Sequence, residues 1–196
     1  MEAMLKKFQQ KYRTAREEMN RWDELQTQFL KQFMNTLSVI ERLPVLGDKN
    51  NYGGLAKVPG ITNALLGKQM ESLERLFYSM NETIKGFHRI VTSLEKIMRD
   101  GNQFLKGGSM QLSKQQMQLR VGIRPTLSQC VDGLRTLYEM HHSEYLVKSS
   151  AVSALSLKSS ANDMRALHQL LADQPNIPKD EVQFIFNIIF PEDICC

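Results

Sequence analysis

Four groups of residues in this chain are of types that could do chemistry. His141-His142 could hold a metal or move protons, and Cys130 could be a nucleophile. Gly60 to Lys68 has the outline of a phosphate loop, and Cys195-Cys196 has the form of a double prenylation acceptor. Each fails on spacing or setting. Adjacent histidines on a helix point about 100° apart and cannot share an ion, because a helix makes a turn every 3.6 residues. His88 and His168 have no partner four residues on, and neither an HExxH nor a CxxC pattern occurs, so no zinc site is expected. Cys130 falls between Leu127 and Leu134 on an apolar face, the setting of a buried thiol. In the glycine segment Gly60 and Gly67 are separated by Ile61 to Leu66, longer than a phosphate loop allows; Lys68 is followed by Gln69 instead of Ser or Thr, and no strand precedes it. The carboxylates Glu17-Glu18, Asp23-Glu24 and Glu71/Glu74 alternate with Lys and Arg, as a solvated helix surface does. Prenylation at Cys195-Cys196 would anchor the chain to a membrane, yet that modification needs a GTPase body for its escort protein. The expectation is no catalytic, cofactor-binding or metal-binding residue, and no membrane association.

The elements that would position such groups are long helices. Leu66, Met70, Leu73, Phe77, Met80, Ile84, Phe87, Val91, Leu94 and Met98 form an unbroken 4-3-4-3 apolar ladder, the period of coiled coils. It predicts a helix over Thr62–Leu105, about 66 Å long at 1.5 Å per residue. A first helix, Glu2 to Leu43, carries the ladder Leu5, Phe8, Tyr12, Ala15, Met19, Trp22, Gln26, Phe29, Phe33, Thr36, Ile40, Leu43, with Trp22 in the core and Pro44 closing it. The connector Gly47 to Gly60 makes the two helices antiparallel. Gly86 and Gly101 each cost about 1 kcal/mol relative to alanine; a close helix approach would account for Gly86. Pro125 opens a third helix, with a seam of Leu127, Val131, Leu134, Tyr138, His141, Tyr145, Lys148, Val152 and Leu155. Ser160 to Asp163 reads as a capping box for a short helix, and Pro178 as the first residue of a last one, stopped by Pro191.

The expected fold is therefore all-α: an elongated antiparallel helical bundle or coiled coil of two long N-terminal helices, a third long one and two short C-terminal ones. Residues 1–196 form one module, with a hairpin over 1–108, a linker over 109–122 and C-terminal helices over 123–196. The apolar fraction of 42% with 23% charged residues excludes wholesale disorder, and no apolar run is long enough for a transmembrane helix. Three cysteines give no disulfide framework and suit a reducing compartment. Residues 1–172 carry a net +8 and residues 173–196 a net −4, giving the overall +4. That asymmetry can steer an acidic partner but falls short of a nucleic-acid footprint. Lys6, Lys7, Lys11, Arg13 and Arg16 are spread over more than one helix face, so direct RNA binding is not expected.

Met4-Leu5-Lys6-Lys7-Phe8 with the lone Trp22, Val58-Pro59 to Gly67-Lys68-Gln69, Leu137 to Lys148 around Tyr145-Leu146-Val147-Lys148, and Ile177-Pro178-Lys179-Asp180-Glu181 before an apolar last helix together resemble the AIRIM family. The linker 107–122 and the Cys-Cys ending depart from that pattern. The resemblance implies a non-catalytic adaptor subunit in the cytoplasm and nucleus. It implies a CINP-like helical protein as partner, in hetero-oligomer with type II AAA+ ATPases that act in cytoplasmic maturation of the large ribosomal subunit, so that the pre-large subunit is contacted indirectly.

The residues themselves agree with a partner-binding role, since two long apolar seams exceed what a single antiparallel pair can cover. Tyr138, Tyr145, Leu146 and Lys148 on the third helix are the expected contact residues: an aromatic-rich seam with a lysine stem at its edge suits a partner groove better than a closed core. The seam pattern fits equally a coiled-coil tether, prenylated at Cys195-Cys196.

Overall fold

The computed structural model describes residues 2–106, 113–120, 122–156 and 159–191. The described elements are helices throughout. They are α1 (Glu2–Gly47), a 3-10 segment (Lys49–Lys57), α2 (Ile61–Lys106), the single turn α3 (Lys114–Met117), α4 (Leu127–Ala154), α5 (Ala161–Asp173) and α6 (Lys179–Ile189). The all-α expectation holds, with two long N-terminal helices.

The chain divides into two compact units. One comprises Met1–Glu24, Phe87–Leu146 and Gln174–Cys196; the other comprises Leu25–Gly86 and Val147–Asp173. In the first unit α1 runs antiparallel to α2, with Lys11 Nζ paired to Asp100 at 2.5 Å and Trp22 on Phe87. It also runs antiparallel to α6, where Gln9 donates to the Ile189 carbonyl and Tyr12 meets Phe186 edge-on. α4 lies parallel to α1, fixed by the Tyr12 hydroxyl donating to the Cys130 carbonyl at 2.8 Å. The core there is Phe8, Tyr12, Trp22, Phe87, Leu94, Leu134 and Phe186.

In the second unit the hairpin partners are tied by Gln32, which donates to Ser79 Oγ and accepts from Thr83 Oγ1. α5 runs back along α1, with Gln26 Nε2 donating to the Leu171 carbonyl and Arg165 paired with Glu41. Gln26 and Thr36, the polar steps of the first ladder, are buried but bonded; Thr36 donates to the Gln32 carbonyl at 2.9 Å. Gly86 is a close approach, because a Cβ there would stand 2.9 Å from Leu25 Cδ1.

Three helix ends differ from expectation. Pro44 lies inside α1 instead of closing it. Its ring costs one hydrogen bond, the one to the Ile40 carbonyl, but so near the helix end little is left to break, and the connector satisfies the last carbonyls of the helix. Asn51 Nδ2 donates to the Val45 carbonyl at 2.8 Å and the Tyr52 hydroxyl to that of Leu46 at 2.6 Å. α4 begins at Leu127 instead of Pro125, under a reciprocal box in which Gln129 N–H donates to Thr126 Oγ1 and Thr126 N–H to Gln129 Oε1. Pro178 is the cap of α6, extended at φ −64°, ψ 115°, instead of its first helical residue. The Ser160 cap forms as expected toward the Asp163 amide at 3.1 Å, while its hydroxyl donates to the Asp163 carboxylate at 2.7 Å, a side-chain bond in place of the expected one to the backbone. Part of the 109–122 linker lies outside the described residues; within it α3 is a single turn.

Candidate partner-binding face

Within the first unit α4 is walled by three helices: α1 through Tyr12, α2 through Gly101 against Leu134, and α6 through Ile185 against Gly133. The strip left to solvent carries the exposed Gln129, Asp132, Arg135, Glu139, Ser143 and Leu146; Tyr138, His142 and Tyr145, at i, i+4 and i+7, are interleaved with them and half-buried. The Tyr138 and His142 rings stack at 5.5 Å with 23° between planes, and Tyr145 lies 5.3 Å from the ring of His88 on α2. The three α4 rings are half-buried, and Leu146 is 49% exposed. Tyrosine bodies held by ring contacts on a rigid helix present apolar area at small entropic cost, which is how interface anchors work.

Of the four expected contact residues, three thus keep exposed surface on the first unit and the fourth does not. Lys148, in the second unit, is fully buried. Its ammonium reaches the Leu171 carbonyl at 3.5 Å and lies 5.8 Å from the Phe29 ring centre. It is not the lysine stem at a groove edge that its place on the seam suggested. His88 and His142 were missed as members of this face. The signal for His142 was its spacing four residues from Tyr138; His88 is joined to the face only by tertiary packing.

Beneath this strip α4 carries a polar node. Glu144 is buried and accepts from the Asn176 backbone N–H at 3.3 Å and from Asn176 Nδ2 at 3.1 Å. Trp22 Nε1 donates to Gln174 Oε1 at 2.8 Å and its ring meets His141 edge-on at 5.0 Å. Gln174 holds a left-handed backbone, φ 46°, a conformation that costs a non-glycine residue energy. His141 Nδ1 bonds the Leu137 carbonyl at 2.7 Å.

Burial pushes the His141 pKa down, opposed by the Leu137 hydrogen bond and by the Glu144 charge. A depressed histidine binds its proton more tightly once unfolded, so its contribution to stability is present above the ordinary value of 6.5 and is lost as pH falls below it. The urea midpoint is expected to drop between pH 7.5 and 5.5, and His141→Gln should flatten that part of the profile; an equally steep drop in the variant would assign it elsewhere.

The Cys130 thiol, likewise buried, is pushed up to about 12 and stays protonated at neutral pH. His141 and His142 do point apart, one inward and one outward, and no group of three potential metal ligands forms among the described residues. The N-terminal cations are engaged locally. Lys7 and Lys11 lie over Phe104, Arg13 and Arg16 over Phe190, with Arg16 4.4 Å from the Phe186 ring centre. No described helix is long and apolar enough to cross a membrane. Cys195 and Cys196 lie outside the described residues.

Compared with known families, residues 2–194 match the model of a family described as ribosome biogenesis protein C1orf109-like. No curated protein matches the chain.

Proposed function

Because the chain belongs to the C1orf109-like family of ribosome biogenesis proteins, we propose that it serves that process as a non-catalytic adaptor, binding through α4. In this reading, which the AIRIM resemblance supports, its partners are a CINP-like helical protein and type II AAA+ ATPases. The assembly acts on the pre-large ribosomal subunit in cytoplasmic maturation, with the adaptor present in cytoplasm and nucleus. The observation that carries the reading is the half-exposed row Tyr138, His142 and Tyr145, with Leu146 at its end. Rings at i, i+4 and i+7 suit the seam of another helix, and aromatic anchors are enriched at the centre of such contacts.

Affinity purification of the tagged chain at endogenous level, with mass spectrometry of what comes with it, tests this. The wild type should recover a CINP-like chain and two AAA+ ATPases. Tyr138→Ala/Tyr145→Ala should lower that recovery more than about tenfold, the loss expected on truncating anchor residues, while the far-ultraviolet spectrum stays that of a folded helical protein. Recovery of neither partner would overturn the adaptor reading. Trafficking or cytoskeletal partners together with lipid mass on the C-terminal peptide would establish the tether instead.

A further inference from the structure

We propose that the turn joining α1 to α2, in the second unit, is a separate docking surface for an acidic amphipathic helix of a partner protein. No residue from Glu41 to Ser72 is buried, although the apolar ladders run on through this stretch. Val45 is 55% exposed, Leu55 59% and Val58 46%, and Leu66 and Met70 on the first turns of α2 are only half-buried.

This is not loose chain. The Asp48 carboxylate accepts from the Asn50 N–H at 2.9 Å, and Asn51 and Tyr52 cap the end of α1. Gly53 and Gly60 take positive φ of 50° and 76°, open to glycine and strained for other residues. The backbone is held in one shape by its own side chains while its apolar groups stay in water. Exposed apolar side chains presented on a backbone held in one shape suit a partner contact.

The rim says what chemistry fits. Arg42, Lys49, Lys57 and Lys68 are exposed and make no ion pair among the described residues. Of the acids in the same stretch, Glu41 is held by Arg165 and Asp48 by the Asn50 amide, leaving Glu71. An occupant needs an apolar stripe flanked by carboxylates. The backbone here is helical turns broken at Gly53 and over residues 58–60, with no described strand, which favours a helix laid against it over an added strand.

The test uses the full chain and two fluorescent stapled helical peptides, one with a leucine stripe flanked by glutamates, the other with lysines in the glutamate places. The glutamate peptide should bind at least about tenfold tighter near 50 mM salt, with the gap narrowing near 300 mM as screening sets in. Val45→Ser/Leu55→Ser/Val58→Ser should weaken it more than about tenfold. Lys49→Glu/Lys57→Glu, at exposed positions, should erase the preference without touching the fold. Equal binding of both peptides, or binding indifferent to both variants, overturns the proposal. Capture of phosphatidylserine vesicles without peptide binding, or a homodimer that the serine variant dissociates, would equally overturn it and hand the surface to lipid or to a second copy.

Discussion

Trp22→Ala is expected to destabilise the protein by about 3–5 kcal/mol, the cost of truncating a fully buried large aromatic. The indole, the chain's single tryptophan, is 1% exposed. It packs 4.4 Å from Phe87 on α2 and 5.0 Å from His141 on α4, so one side chain of α1 braces two neighbouring helices. Its removal leaves a void that helix backbones on both sides cannot collapse to fill. It also strips the hydrogen bond from Gln174, whose left-handed backbone is sustained by its surroundings. Trp22→Phe keeps most of the ring volume and loses the N–H, so a smaller loss of roughly 1.5–3 kcal/mol follows from imperfect packing and the orphaned carbonyl oxygen. Urea unfolding followed by far-ultraviolet circular dichroism measures both, since fluorescence is lost with the residue. Against a total stability of about 5–15 kcal/mol, the alanine variant should be visibly frayed near physiological temperature. Because His141 lies within a helical turn of Tyr138, His142 and Tyr145, partner recovery should fall with it. A loss below about 1 kcal/mol, the level of an ordinary surface change, would show that α2 and α4 are held apart by other contacts.

The long helices were legible because their burial follows a simple period. In α1 the ladder positions from Leu5 to Ile40 are buried apart from half-buried Met19, and in α2 the rungs Leu73, Met80, Ile84, Phe87, Val91 and Leu94 are buried. Periodicity reports which face is apolar, however, and not whether anything covers it. The α2 ladder reads the same through Leu66 and Met70, where the core has already ended, as through Val91, where it is complete. α4 was harder for a related reason. Walled by α1, α2 and α6, it buries Leu137, Met140 and Glu144 as well as its seam and leaves Tyr138 and Tyr145 at the seam's edge. A single-stripe reading cannot sort residues on a helix with three neighbours.

Lys148 shows the limit most sharply. On an apolar seam a lysine is read as a stem with its head in water. Whether the head turns inward depends on a carbonyl at Leu171 and a ring at Phe29, both remote in sequence. The end of α1 was misread on the same ground, because the groups that satisfy its last carbonyls, at Val45 and Leu46, belong to Asn51 and Tyr52 in the connector.

Gly133→Ala should also be costly, by about 2–4 kcal/mol, although intrinsic helix propensity alone favours alanine by about 1 kcal/mol. A Cβ at Gly133 would stand 2.3 Å from Tyr12 Oη and 3.0 Å from Ile185 Cγ2. Tyr12 cannot step aside cheaply: it is fully buried, lies against Phe186, and its hydroxyl donates to the Cys130 carbonyl on the same helix, three residues before the glycine. The phenol thus lies across α4 with Gly133 as the floor of its slot. Overpacking of this kind costs about 1–3 kcal/mol, and pushing the hydroxyl off its acceptor in a buried site costs about 1–3 kcal/mol more; together these exceed the propensity gain. Gly67, also inside a helix but with nothing within 4 Å of its Cβ position, isolates that gain, and Gly67→Ala should stabilise by about 0.5–1 kcal/mol. The decisive measurement is the double-mutant cycle with Tyr12→Phe. Deleting the hydroxyl removes the 2.3 Å contact and leaves the ring carbon at 3.4 Å, ordinary van der Waals range, so Gly133→Ala should cost little in that background, a coupling of about 2 kcal/mol for two side chains in direct contact. Additive losses would mean that Ile185, or a shift of α4 itself, sets the cost, and would relocate the tightest packing of the first unit from the α1–α4 contact to α6.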